Sequence, residues 1–409
     1  MAGRESNTRV IIVGAGPVGM VCALALNTRG IAVTVLEQEP APVKDQRAAS
    51  IHPPTLELLD ALGITRKIIP LGLVSEKYRF HDRVTKAVVA EFDLAQMRDE
   101  FRFPFVLQYE QYKLTASIAA EYANADDFDV RFAHSVTAVG QDADAVEVEV
   151  CSASGRERLS AAYVIGCDGG HSTVRRCAGI AFEGFTYPEK FIKIATTFDF
   201  GTVNPDLVYR NYFSDPDEWC NLFKVRGESP GGLWRAIFPL QADEDEKVAL
   251  SRERIEQRLQ KFFPRPGHYD VEYVNIYGVS QRVAATFRQG RVLLAGDAAH
   301  VNNPIGGMGM NGGIHDAVNL AEKLSLVLRG ERGEELLDLY DRQRRHVARE
   351  YIQTQTIANK KLMEERDGAV RQAMFDELRC TAADPQAARH YMRRAALLHS
   401  LQMADAVAL

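Results

Sequence analysis

The stretch Val10-Ile11-Ile12-Val13-Gly14-Ala15-Gly16-Pro17-Val18-Gly19, with Glu37 further along, decides the fold. Val10 to Val13 is a short β-branched run, Gly14 to Gly19 a tight turn, Val21 to Arg29 a helical segment, and Ala32 to Leu36 a second β-branched run ending at Glu37. That order is strand, loop, helix, strand, with a GxGxxG turn placed directly after the first strand. Gly14 permits the sharp turn, Gly16 lets backbone N–H groups approach a pyrophosphate, and Gly19 allows the helix to pack closely on the strand. The first helical turn then presents unpaired N–H groups and a partial positive charge to the phosphates. Glu37 suits the two hydroxyls of an adenosine ribose. Gly14, Gly16, Pro17, Gly19 and Glu37 are therefore candidate dinucleotide-binding residues. A glycine-rich turn without a ligand is the alternative, and the register of strand, helix and acid argues against it. Alone, the fingerprint serves a nicotinamide or a flavin dinucleotide equally well.

Working outward, 409 residues exceed the usual size of one hydrophobic core. With 46% hydrophobic and 25% charged residues the composition is globular. The net charge of −6 and the lack of a long Lys/Arg block argue against nucleic acid as a partner. Arg342, Arg344 and Arg345 sit in a helical pattern and read as a solvated face. The six cysteines show neither a CxxC pair nor a Cys/His spacing suited to a metal, and read as reduced thiols of a cytoplasmic protein. The apolar run Val10 to Leu26 is broken by Gly14, Gly16, Pro17 and Gly19, whereas a membrane span needs ~20 apolar residues in one helix. No membrane span is expected.

Further along, Pro40 to Arg47 is a Pro-rich polar loop feeding a helix that starts near His52 to Thr55. Residues 74–107 look strand-rich, and Gln111 to Tyr122 looks helical. Tyr163 to Gly166 reads as a buried strand running into Cys167-Asp168-Gly169-Gly170. Aromatic, alternating segments dominate 181–275 and read as a mostly antiparallel sheet. Val292 to Ala295 returns to a buried strand, the glycine-rich turn 304–313 follows, and the rest is mostly helical.

Two segments choose the cofactor. Gly166-Cys167-Asp168-Gly169-Gly170-His171-Ser172-Thr173-Val174-Arg175 and Arg291-Val292-Leu293-Leu294-Ala295-Gly296-Asp297-Ala298-Ala299-His300 resemble the DG and GD motifs of the class A flavoprotein aromatic hydroxylases, the para-hydroxybenzoate hydroxylase family. The order GxGxxG, DG, GD fits, and the likeness runs roughly from residue 8 to 350. It implies an α/β (mixed α+β) fold: a Rossmann-like FAD-binding domain from 1–73, 101–180 and 276–340, an inserted antiparallel substrate-binding sheet from 74–100 and 181–275, and a C-terminal helical region at 341–409. The chain resembles the short members, without a thioredoxin-like C-terminal domain.

Physically, Asp297 at a strand end suits a ribityl hydroxyl, and the glycines between Pro304 and Asn311 let backbone approach a planar ring. A helix starting near Gly312 would aim its N-terminus at the flavin pyrimidine edge, favouring the negative charge of reduced flavin. The resemblance implies that Gly309, Met310 and Asn311 meet the isoalloxazine and that Pro304 lies beside its reactive carbon. It also implies that Arg47 and Gln111 touch the FAD phosphate and ribityl region, and that Asp168 serves both FAD and the passage of NAD(P)H. As isolated residues, Arg47 would be a surface charge and Asp168 a turn residue. The GxGxxG spacing recurs at Gly307 to Gly312, but inside the glycine-rich turn and not directly after a buried strand, so no second dinucleotide domain is read and NAD(P)H is expected as a transient cosubstrate beside tightly bound FAD.

The activity implied is NAD(P)H- and O₂-dependent hydroxylation of a small phenolic or heteroaromatic substrate through a flavin C4a-hydroperoxide. His52 is the first candidate for assisting loss of the phenol proton, with a helix-capping or surface histidine as the alternative. Tyr209, Tyr212 and Arg235 belong to the inserted sheet expected to roof the pocket, and Tyr212 and Arg235 join His52 as catalytic candidates. An FAD-dependent dehydrogenase or reductase on the same scaffold, or a non-catalytic flavin redox protein, is the competing reading. The amphipathic stretch Tyr340 to Met363 is expected to pack within the chain, with a homodimer contact as the alternative.

Overall fold

The computed structural model describes residues 8–44, 47–122, 125, 127–241 and 243–408. Its first layer is a six-stranded sheet in the order Arg288–Gln289, Val292–Leu294, Tyr163–Gly166, Val10–Val13 (β1), Val33–Leu36 (β2), Phe128–Arg131. All pairs are parallel except the edge pair Arg288–Gln289 with Val292–Leu294. β1 lies inside the sheet and all four of its residues are buried, which is why it reads as an unbroken apolar run. Helix α1 (Pro17–Asn27) and the helix Met308–Leu328 share this core, together with Val146, Val148 and Val150 of a three-stranded antiparallel sheet. In that strand buried and solvent-facing positions alternate, as a sheet with one wet face requires.

The second layer is an eight-stranded sheet in the order His300–Val301, Val271–Ala284, Phe182–Thr196, Leu233–Pro239, Cys220–Val225, Arg210–Ser214, Lys77–Asp82, Val88–Asp93. Two long strands tie the layers together: Phe182 pairs with Ala284 beside the first layer, and Thr196 pairs with Val271 at the far end. One face of the sheet packs Ile192, Ile194, Phe213, Leu222, Trp234 and Phe238 against Leu259 and Phe262 of the helix Arg252–Phe262. Period two sends their neighbours to the opposite face, where the register sets Tyr212 beside Phe80, Arg210 beside Phe223, and Phe223 beside Arg235.

Three expectations are corrected. The long helix begins at Met308, not near Gly312, because Gly306 (φ +102°) and Gly307 (φ +70°) complete the turn early. Gly312 and Gly313 lie inside the helix despite their poor propensity. A Cβ on Gly313 would stand 2.9 Å from Gly296 Cα and 2.6 Å from Val18 Cγ2, so close packing requires glycine there. Tyr209 is 39% exposed and precedes the strand. Tyr209 and Tyr212 are three apart, and a period of two cannot send both to one face.

The third correction concerns Arg344, which is 1% exposed and not part of a solvated face. The amphipathic stretch Tyr340 to Met363 runs through a helix Glu335–His346, a π-helical stretch Val347–Gln353 and a helix Thr354–Glu364. It packs within the chain: Gln353 donates to Val301 O (3.0 Å), Asn303 donates to Thr356 O (2.9 Å), and Asn359 donates to Ile305 O (3.1 Å). The helices Gly368–Ala383, Pro385–Ala395 and Leu398–Asp405 follow. No helix among the described residues is long and apolar enough to cross a membrane.

Candidate active site

The glycine turn sits between β1 and α1. Gly14 (φ +101°) has no room for a side chain, since a Cβ would lie 2.5 Å from Cys167 O. A Cβ on Gly19 would lie 2.0 Å from Gly14 O, while a Cβ on Gly16 would meet nothing within 4 Å. Two of the three glycines are thus demanded by chain packing, and Gly16 faces open space. Pro17 opens α1, whose N-cap Gly16 supplies no side-chain hydrogen bond, so the helix terminus presents its N–H groups outward. Glu37 is half-buried and accepts from Ala15 N–H (2.8 Å) and Glu39 N–H (3.0 Å), which fixes its carboxylate beside the turn. Gln111, at the start of the helix Gln111–Glu121, exchanges hydrogen bonds with Ala48 through its backbone N–H (3.0 Å) and its side-chain Oε1 (3.3 Å). That holds the chain just after exposed Arg47.

Asp168 spends its carboxylate locally, accepting from Ser172 Oγ (2.5 Å), Thr173 N–H (2.6 Å) and Val174 N–H (3.1 Å). Its visible role is to shape the turn that Arg175 then joins to the GD loop: Arg175 donates to Gly170 O and Ala298 O, both at 2.8 Å. Asp297 is exposed beside that loop. In the flavin-loop candidate, Asn311 is fully buried and its side chain is committed to backbone. It accepts from His52 N–H (2.9 Å) and donates to Ser50 O (2.8 Å) and Gly307 O (2.7 Å). Pro304 accepts from Gly307 N–H (3.0 Å), and Gly309 and Met310 lie in the first turn of the following helix.

A buried ionic cluster, which the sequence reading missed, supports this loop from behind. Asp316 accepts from Arg344 Nε (2.6 Å) and Gly296 N–H (3.0 Å) and lies 2.8 Å from His300 Nε2. Arg344 also donates to Gly312 O (3.2 Å). Opposing burial, Arg344 and His300 hold the Asp316 carboxyl down at about 2. Nearby, Thr55 Oγ1 lies 2.9 Å from His315 Nε2, and burial and the charge of Arg344 lower the His315 pKa to about 3.

The pH dependence of stability follows from these shifts. A histidine whose folded pKa is depressed contributes stability that is complete above its unfolded pKa of ~6.5 and is lost as pH falls below it, because the unfolded chain binds the proton first. His315 and His52 both act in this sense. Asp316 contributes stability present above its unfolded pKa of ~3.9 and lost as pH falls toward about 2. The unfolding free energy from urea titrations is expected to fall between pH 7 and 5, by a slope approaching ~1.4 kcal/mol per pH unit for each buried histidine. His315→Gln is expected to flatten that slope; parallel slopes for the variant and the parent chain would contradict the assignment.

Between the glycine loop at 304–307 and the eight-stranded sheet lies a cavity. The loop side contributes His52, Ile305, Gly306 and Met308, and the sheet side Tyr78, Phe80, Arg210 and Tyr212. Asn359, Met363, Tyr391 and Met392 close it from the C-terminal helices. His52 begins the helix Pro53–Ala61 as its N-cap but makes no side-chain cap bond, so the capping alternative fails. It is 1% exposed, and neither ring nitrogen has a hydrogen-bond partner. A Cβ placed on Gly307 would stand 3.4 Å from its Nε2, which sets the imidazole against the glycine loop. Burial first, then the charges of Arg210 and His315, push its pKa well below the ordinary value. Arg210 donates to Tyr212 Oη (3.0 Å) and stands over the Tyr78 ring at 5.3 Å.

The structure therefore brings His52 and Tyr212 together. Arg235, buried on the same sheet face, is not among the residues lining this cavity. Arg210 and Tyr78 were missed. Arg210 had a signal, since it stands two residues from Tyr212 and shares its face by strand periodicity.

An open Gly16 cradle, two uncapped helix starts and a partnerless buried imidazole beside a glycine loop fit a long dinucleotide whose ring ends at the cavity. The comparisons agree. A family model described as "FAD binding domain" matches residues 7–355. The para-nitrophenol 4-monooxygenase of Pseudomonas sp. (strain WBC-3) is 34% identical over 383 residues, covering 91% of this chain and 92% of that protein. The 3-(3-hydroxy-phenyl)propionate/3-hydroxycinnamic acid hydroxylase of Mycolicibacterium smegmatis is 32% identical over 89% of this chain, which spans only 64% of that longer relative. The crystal structure of p-nitrophenol 4-monooxygenase from Pseudomonas putida DLL-E4 superposes with a TM-score of 0.90 at 30% identity, covering 99% of this chain and all of that one. By fold, motif order and likeness along its length, the chain belongs to the FAD-binding family of aromatic monooxygenases.

Proposed function

We propose that this enzyme uses NAD(P)H and O₂ to hydroxylate a small phenol held in the cavity between His52 and Arg210. The observation that carries the reading is His52: a buried imidazole with two unpartnered nitrogens, at the flavin loop, in a cavity walled by aromatic and aliphatic side chains. When bound, FAD supplies reduction by NAD(P)H and the activation of O₂ for transfer to the ring. The protein's own contribution is to bind, orient and dry the substrate. Leu94, Val106, Ile305, Met308 and Met363 exclude water, which protects an oxygen-transfer step from hydrolysis and leakage. With its pKa lowered by burial, His52 is neutral near pH 7 and its ring nitrogen can accept a hydrogen bond from the phenol O–H; the proton moves to it only as the adjoining phenolate charge offsets that lowering. The Arg210 guanidinium, with no carboxylate among the lining residues, favours the phenolate that results. Tyr212 accepts from Arg210 and keeps its own hydroxyl hydrogen to donate.

In this reading the six-stranded sheet and its helices form the FAD domain, and the eight-stranded sheet roofs the substrate. Gly14, Gly16, Pro17, Glu37, Arg47 and Gln111 line the ADP and ribityl path, with Pro304, Gly309, Met310 and Asn311 at the ring. Dependence on NAD(P)H suits a cytoplasmic enzyme.

The test is NAD(P)H and O₂ consumption by FAD-loaded protein across a panel of phenols led by 4-nitrophenol and 3-(3-hydroxyphenyl)propionate, with products identified by mass. A product one oxygen atom richer, or ring-hydroxylated with loss of a substituent, is expected. Oxidised products without added oxygen would favour the dehydrogenase reading, and no phenol-dependent consumption would overturn the proposal. His52→Gln is expected to lower kcat ~100-fold or more with FAD content unchanged. A kcat within threefold of the parent would remove His52 from proton transfer.

A further inference from the structure

Among the described residues that line this cavity, the buried side-chain atoms without a hydrogen-bond partner are, besides the His52 nitrogens, Tyr78 Oη and Arg210 Nε. Tyr78 is only 4% exposed. A buried hydroxyl with nothing to bond is costly, and native structures keep one where a ligand completes it. Burial raises the Tyr78 pKa well above its usual value, so the group is a phenol O–H and acts as a donor.

Its ring has little freedom to turn away. It stacks on Phe92 (centroids 5.3 Å apart, 19° between planes), meets Tyr212 edge-on (6.5 Å, 86°), and carries the Arg210 guanidinium over its face. Phe92 is in turn stacked by Tyr391 at 4.3 Å, which seals the cavity from the C-terminal side. The other residues on that side, Leu94, Val106, Met392, Ala395 and Ala396, offer apolar contact only. A fixed donor in apolar surroundings discriminates between ligands of the same shape, because a ligand without an acceptor leaves the donor unsatisfied.

Resting on the phenol reading above, we infer that Tyr78 is a specificity-determining residue that donates a hydrogen bond to an acceptor substituent on the substrate ring. The natural substrate is then a phenol bearing a compact oxygen-containing group such as nitro or carbonyl, in preference to an alkylphenol of equal size.

The test is calorimetric binding of two ligand sets to FAD-loaded wild type and Tyr78→Phe: 4-nitrophenol and 4-hydroxyacetophenone as acceptors, 4-ethylphenol and 4-isopropylphenol as shape-matched alkyl partners. Removing the hydroxyl is expected to weaken the acceptor ligands ~10-fold or more and to leave the alkylphenols within about twofold of wild type. Comparing each ligand with itself across the two proteins cancels differences in ligand acidity. Equal weakening of both sets would place Tyr78 on the phenol oxygen common to all and overturn the inference. So would no change in either set, the result expected if water satisfies the hydroxyl. If wild type binds the phenols and these outcomes appear, the phenol reading stands while Tyr78 loses its role; if wild type binds none of the four, the phenol reading fails and the inference falls with it.

Discussion

Replacing Gly16 with leucine yields a folded chain that no longer retains FAD, its affinity lowered by about 100-fold or more. The three glycines of the turn separate fold from cofactor. At Gly19 a side chain collides with Gly14 O at 2.0 Å, and at Gly14 with Cys167 O at 2.5 Å, in a left-handed conformation besides. Substitution at either damages the chain itself. Gly16 has φ −68° and ψ 177°, a conformation open to any residue, and its Cβ would touch no protein atom within 4 Å. A leucine there projects into the space in front of the α1 terminus and keeps the pyrophosphate from the N–H groups. Flavin absorbance per chain after gel filtration, read beside far-ultraviolet circular dichroism, checks it. A yellow, stoichiometric variant would move the pyrophosphate away from this turn.

The largest loss of stability is expected from Asp316→Ala, about 3–5 kcal/mol. Asp316 is fully buried and Arg344 is 1% exposed, so removing the carboxylate strands a guanidinium in the core and also leaves Gly296 N–H without its acceptor. Against a total of roughly 5–15 kcal/mol for a folded domain, this is a large fraction. The loss should reach the cofactor too, because Gly296 opens the GD loop. Pairing Asp316→Ala with Arg344→Met is expected to recover part of the stability, since the unpaired charge and not the missing contact carries most of the penalty. Urea unfolding of the single and double variants measures it, and a single-variant loss under about 1 kcal/mol would contradict the role given to this cluster.

Residues whose positions depend on near neighbours were legible in advance. Gly14, Gly16 and Gly19 act through the spacing of one turn and one helix, and His52 was placed by its position after the loop that carries Arg47. Gly312 and Gly313 misled for the same reason: glycine reads locally as a turn, and only the approach of Gly296 and Val18 shows why a helix contains it here. Arg344 reads as a surface charge among Arg342 and Arg345 until the helix Met308–Leu328 brings Asp316 to it.

The sequence by itself determined the βαβ unit, the order of the three flavin motifs and hence the α/β class, because these rest on short-range periodicity and on residues that only a narrow set of backbone conformations admits. The tertiary structure alone decided which polar groups line the cavity. The strand register that sets Tyr212 beside Phe80, the closure of the cavity by Tyr391 and Met392, and the burial that neutralises His52 all arise between segments far apart in the chain. Contacts across such separations are selected by how complete layers pack, and no local pattern encodes them.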